Sequence, residues 1–281
     1  MNNFRTVRKI LTGSNAVDGA GVKLVRVIGH SDTKDFDPFL MLDAFDSTNP
    51  ADYTKGFPWH PHRGIETITY LIYGDIEHAD SLQNKGSIKD GDCQWMTAGS
   101  GIIHQEMPKA TDRMLGVQLW LNLPAKNKMT DPQYGDIKNE KIPVVSENGN
   151  KIHVIAGNYN KIPGAFQGRF VKTTYLDVEL SPDSEWLYDC DIDSTLFVYI
   201  VLGEGYFNPD TKEMISHKHA ILFNPGSKVW IRSADKGMRF LLLSANPIKE
   251  HIAWGGPIVM NTQEELDTAF KELDGNTFIK V

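Results

Sequence analysis

The sequence predicts an all-β protein: two consecutive β-barrels with one short helix near the C-terminus. Three observations carry this expectation. Apolar runs are short, rich in Val, Ile, Leu, Thr, Tyr and Phe, and end in Gly, Pro, Asn or Asp, which is the pattern of many strands joined by turns. The two halves echo one another in order and spacing. One segment alone has a clear helical period, and it lies close to the end of the chain.

Taken in order, strands are expected over Leu24–Ile28, Thr67–Tyr73 and Met114–Leu123 in the first half. In the second half they are expected over Phe170–Leu180, Thr195–Leu202, Ala220–Phe223 and Phe240–Leu243. YLIYGDIEH is a strand, a Gly-acid turn and another strand, and so is VYIVLGEGYFN; aligning Gly74 on Gly203 gives an offset of 129. WMTAGS matches LFNPGS, and Gly99 on Gly226 gives 127. We read this as a duplication. The polar stretch from Pro124 to Pro143 reads as the link between the barrels, dividing the chain into 1–133 and 134–281. In NTQEELDTAFKELDG, Thr262 and Glu265 form a capping box. Leu266, Ala269, Phe270 and Leu273 then share one helical face, and Gly275 stops the helix.

Composition narrows the function. The 281 residues suffice for one large or two medium domains. Lys and Arg number 29 against 36 Asp and Glu, a net charge of −7, which argues against a nonspecific nucleic-acid binder. Cys93 and Cys190 are the only cysteines, too few for a disulfide framework, so a reducing compartment is expected. The N-terminal residues lack the apolar core of a signal peptide, and no apolar run reaches the length of a membrane span. The expected location is cytoplasmic. KDGD at Lys89–Asp92 lacks calcium-loop spacing. No phosphate-binding glycine loop and no serine nucleophile elbow is present.

The chemistry concentrates in FPWHPHRGIETITYL, Phe57–Leu71. In a strand, residues i and i+2 share a face, so His60 and His62 project together while Pro61, stiffening the strand start, faces away. A further pair lies in AGSGIIHQEMP, where His104 and Glu106 again share a face. Two such pairs, on strands facing each other across a barrel, offer three imidazoles and a carboxylate. That set suits Fe(II), Mn(II), Ni(II), Cu(II) or Zn(II). Glu66 has the parity of His60 and His62, and Glu106 that of His104; periodicity does not choose between them as the fourth ligand. Phe57, Trp59, Trp95 and Trp120, with Gln118, are candidates to line a pocket for a flat substrate.

WHPHRGIETITY resembles the first cupin motif in the form typical of pirins, roughly PHPHRGFETVTY. Gly99–Pro108 resembles the second pirin motif, and Pro38–Asp46, Gln118–Pro124 and Pro257–Leu266 also look like pirin segments. The resemblance implies a bicupin with the metal in the N-terminal cupin only. It favours His60, His62, His104 and Glu106 as the ligands of one divalent ion, Fe(II) first, with Mn, Ni, Cu or Zn accepted by the same donors. Pirin-like proteins include enzymes resembling quercetin 2,3-dioxygenases. The implied activity is O2-dependent opening of a flavonol-type ring with loss of CO, with Glu106 as proton acceptor and Glu66 as the alternative. Other pirin-like proteins are iron-binding, redox-sensitive regulators that act on protein partners without turnover. The repeat places Asp189, Asp191, Ile231 and Ser233 where the second barrel would need ligands, so that barrel is expected to hold no metal. His217 and His219 have no partner pair and read as surface residues.

Overall fold

The computed structural model describes residues 4–280, and its strands match the all-β, two-barrel expectation. The strands that matter here are β1 (Val7–Leu11), β2 (Ser14–Asp18), β3 (Val22–Ile28), β4 (Phe39–Ser47), β5 (Phe57–His62), β6 (Ile65–Tyr73), β7 (Asp75–Asp80), β8 (Lys85–Lys89), β9 (Cys93–Thr97), β10 (Ile102–Pro108), β11 (Met114–Asn122) and β12 (Gln133–Ile137). Among the described residues, no helix is long and apolar enough to cross a membrane.

The chain forms two compact units, but they are not its two consecutive halves. One contains Ser14–Asn139 together with the segment from Ile248 onward; the other contains the segment up to Gly13 with Glu140–Pro247. The division expected at 133/134 is therefore displaced, for three physical reasons. First, β1 pairs with Ala220–Phe223 and supplies an edge strand to the second unit. Second, the stretch expected to be a link is built into the first unit: β12 pairs along β9 from Gln133 to Ile137. Third, the C-terminal helix Gln263–Asp274 packs Leu266 and Ala269 against Ile258, Met260 and Phe278 within the first unit. That helix starts at the expected capping box, with Thr262 accepting from the Glu265 N–H.

In the first unit a seven-stranded sheet has the order β12-β9-β6-β11-β4-β3-β2, and a four-stranded sheet the order β5-β10-β7-β8. The inner face of the larger sheet is layered. Val22, Leu24, Phe45, Leu71 and Met114 belong to one apolar cluster. Met41, Met96 and Trp120 belong to another. A polar row crosses between them and is described below. The second unit is a barrel built on the long strand Lys228–Ala245, which pairs with Thr173–Leu180, Glu185–Asp189 and Thr195–Tyr206. Its interior is aliphatic and aromatic, with Trp186 and Tyr188 stacked at 5.5 Å.

Candidate metal centre

The two histidine motifs are neighbours in one sheet and do not face each other across the barrel. Strands β5 and β10 pair antiparallel, with His60 directly opposite His104. Antiparallel partners share a face, so His60, His62 and His104 converge. Their ligand atoms all lie within 4.8 Å of one another, the one such histidine, cysteine or acidic group among the described residues.

The hydrogen bonds around these rings fix where their lone pairs point. His60 Nδ1 lies 2.8 Å from the Pro58 carbonyl, and His62 Nδ1 lies 3.1 Å from the Pro257 carbonyl. A carbonyl only accepts, so both Nδ1 atoms carry the proton and both Nε2 atoms present lone pairs. Those two Nε2 atoms stand 3.1 Å apart. Burial, reinforced by His60, pushes the His62 pKa down to about 3, so this ring stays neutral. His104 is fully buried and both its ring nitrogens lack a hydrogen-bond partner among the described residues; burial and the neighbouring histidines hold its pKa well below the usual range. Converging lone pairs beside an orphaned imidazole fit a cation and leave two neutral donors poorly satisfied without one. A divalent transition metal fits this donor set.

Glu106 shares the face of His104 but lies outside the group of three. Its carboxylate accepts from Gln118 Nε2 at 2.9 and 2.8 Å and from Thr69 Oγ1 at 3.1 Å. Because the carboxylate only accepts, the Gln118 nitrogen must face it. Thr69 and Gln118 are cross-strand partners, and the pairing continues on both sides. Asp136 pairs with Gln94, Gln94 with Thr69, Gln118 with Asp43, and Asp43 with Arg26. One polar row thus crosses six strands of the sheet.

Glu66 is elsewhere. The alternation that gives it the parity of His62 does not run through the chain, because β5 ends at His62 and β6 starts at Ile65. Gly64 turns between them at φ +78, where an added Cβ would lie 1.9 Å from the Val259 carbonyl. Glu66 therefore falls on the sheet face opposite Thr69, accepts from Thr97 Oγ1 at 2.7 Å and is fully buried. Burial pushes its pKa up to about 6, outweighing the hydrogen bonds from Thr97 and Trp95.

A cleft of about 530 Å3 opens on the site, lined by Phe57, His60, His62, Gln118 and Trp120 among others. Trp95 is buried away from it, and Trp59 is exposed on the strand's other face. Sequence reasoning missed the contribution of the C-terminal segment. Trp254 and Pro257 line the cleft. The rings of His62, Trp120, Trp254 and His30 form a continuous wall with centroid separations of 5.0, 5.7 and 4.7 Å. Two buried cations tie this segment to the histidine motifs. Arg63 donates to the Ser100 carbonyl, Glu272 and the Phe278 carbonyl. Lys128 donates to the Gly64 and Val259 carbonyls and to Asn122, and burial lowers its pKa to about 8.

In the second unit, Asp189 is exposed and pairs with Lys228, Asp191 gives its carbonyl to Arg5, Ile231 is core, and Ser233 donates to the Ser181 carbonyl. His217 is exposed and His219 partly so.

Comparison with known proteins agrees with this architecture. The Pirin family model matches residues 21–121 and the model of the pirin C-terminal cupin domain matches 175–279. A Pseudomonas aeruginosa protein named "Putative quercetin 2,3-dioxygenase" is 40% identical over 278 residues, covering 97% of each chain. Human "Pirin" is 38% identical over 272 residues, covering 96% of this chain and 92% of its own. A crystal structure of quercetin 2,3-dioxygenase from Acinetobacter baumannii superposes with a TM-score of 0.89 at 29% identity, covering 98% of both chains. An Escherichia coli bacterial pirin solved with nickel(II) shares the fold, with a TM-score of 0.67 at 20% identity over 85% of this chain and 99% of its own. Matched in both cupin domains and along nearly its whole length by pirin relatives, this chain belongs to the pirin family.

Proposed function

We propose that the protein is a metal-dependent dioxygenase that opens a flavonol-type ring with O2 and releases CO, one CO for each O2 consumed. The observation that carries this reading is the convergence of three histidines, two of them with their Nδ1 protons spent on backbone carbonyls, at the foot of an aromatic cleft. His60, His62 and His104 would hold one divalent transition metal, Fe(II) by preference, with Glu106 as fourth ligand. When bound, the ion supplies Lewis-acid stabilisation of a ring oxyanion.

The chain's own residues do the rest. The wall formed by Trp120, Trp254 and His30 offers a face for a flat ring and keeps water from it. Glu106 takes the proton of the substrate hydroxyl. Gln118 and Thr69 hold that carboxylate in place. Glu66, on the far face of the sheet, is left out of the chemistry.

The test is metal analysis of protein purified without added metal, followed by O2 uptake and CO release with a flavonol panel. Metal-replete protein that consumes no O2 with any flavonol overturns the enzyme reading. The iron-binding, redox-sensitive regulator would then lead, and binding of protein partners by its Fe(II) and Fe(III) forms would be measured next.

A further inference from the structure

The polar row on the inner face of the sheet ends in a charged group that the metal chemistry does not use. Arg26 lines the cleft and is about a third exposed. Its Nε and Nη2 grip the buried Asp43 at 2.9 and 2.7 Å, and Nη2 also reaches Asp18 at 2.8 Å. Nη1 has no hydrogen-bond partner among the described residues. Asp18 also lines the cleft and is half exposed. Its Oδ1 accepts from the Gly19 N–H. A purely structural ion pair would need only Asp43; here a second carboxylate and a free guanidinium edge are turned to the open cavity.

The register supplies a ruler. Gln118, which holds Glu106, pairs with Asp43, and Asp43 pairs with Arg26. Arg26 is thus two strand spacings from Gln118, about 10 Å. Between backbones that is a separation of strands only, but Arg26 and Asp18 line the same cleft as His60 and His62, so a ligand of two linked rings can occupy both ends.

The charge at this end sets the chemistry. One guanidinium and two carboxylates leave it net negative, which disfavours an anionic group on the ligand. A neutral hydroxyl suits it, because it can donate to Asp18 and accept from Arg26 Nη1.

We propose that Arg26 and Asp18 form a specificity subsite that reads a neutral hydroxyl on a ring remote from the metal-binding oxygen of a flat, multi-ring phenol. This rests on the metal-site reading above and deepens it.

The experiment measures affinity, not turnover, by quenching of tryptophan fluorescence in the metal-replete protein. The probes are 3-hydroxyflavone and its 4′-hydroxy and 4′-carboxy derivatives, with 4-phenylcatechol and 4-(4-hydroxyphenyl)catechol as a second, non-flavonol ruler. In the wild type the remote hydroxyl should tighten binding about tenfold in each series, and the carboxylate should weaken it. Asp18→Asn, at a half-exposed position, should relieve the carboxylate penalty and shrink the hydroxyl advantage. Arg26→Met leaves Asp43 buried without its partner, so it is read only if its far-ultraviolet spectrum and melting are cooperative; it should flatten the hydroxyl advantage.

Equal wild-type binding with and without the remote hydroxyl overturns the proposal. So does an Asp18→Asn variant with unchanged ratios, and so does failure of both series to bind. If the ratios hold but no O2 is consumed, the dioxygenase reading falls and the subsite stands. If flavonols are cleaved but the ratios are flat, the subsite alone falls.

Discussion

Glu66→Gln should gain stability relative to the wild type as pH rises. Burial lifts this carboxyl from its ordinary 4.5 to about 6, so the fold favours its neutral form. The stabilisation from that preference is complete below about pH 4.5 and is lost as pH climbs through 6. At about 1.4 kcal/mol per pK unit, the wild type gives up about 2 kcal/mol across the transition. Glutamine does not titrate, so the variant keeps what the wild type loses. The amide offers one acceptor where the carboxylate offers two. Its oxygen can still accept from Thr97, and any change in hydrogen bonding shifts the variant's level by about 1 kcal/mol. The readable quantity is therefore the swing, not the absolute difference. Urea melts of both proteins at pH 4.5, 6 and 8, without metal, should show the variant moving up by about 2 kcal/mol, most of it below pH 7. A flat difference, or a variant that loses ground as pH rises, would refute the reasoning. It would mean that Glu66 is ionised and usefully paired, and would restore it as a candidate proton acceptor.

Three further outcomes follow from the site. His62→Ala removes one of three converging nitrogens and should abolish stoichiometric metal binding, read by metal analysis, together with O2 uptake. Glu106→Gln should keep a low rate even at full metal occupancy, because an amide cannot take the substrate proton; recovery on adding metal would restrict Glu106 to a ligand role. Arg63→Ala leaves the buried Ser100 and Phe278 carbonyls without their donor and Glu272 with Lys280 alone. It should cost about 3 kcal/mol by chemical denaturation, and a loss under about 0.5 kcal/mol would show that the tie to the C-terminal segment carries no weight.

What could be read from the sequence follows the range of each signal. Alternation and turn residues are local, and they marked strands such as β6 and β11. The capping box and the apolar face Leu266, Ala269, Phe270 and Leu273 marked the helix, again within one element. The histidine pairs were legible because both members of each pair lie on one strand. Parity failed at Glu66, where it was carried through a turn: Gly64 resets which face a residue takes. The same limit explains the unit boundaries. Nothing within Pro124–Pro143 shows that Gln133–Ile137 will pair with β9, and nothing within the C-terminal helix shows which unit it will cover. Trp254, Pro257 and Arg26 enter the cleft only through register and chain return, which belong to the whole fold. The polar row from Asp136 to Arg26 is likewise invisible until six strands are set side by side.

The carbonyl that fixes the tautomer of His62 comes from Pro257, 195 residues later in the chain. A ribosome adding about 5–20 residues each second needs about 10–40 s to make that interval. Through that time the growing chain carries the imidazole pair without the carbonyl that directs one of its lone pairs, and without the tryptophan that extends the aromatic wall. The pocket thus reaches its final form only after the chain has been made as far as Pro257.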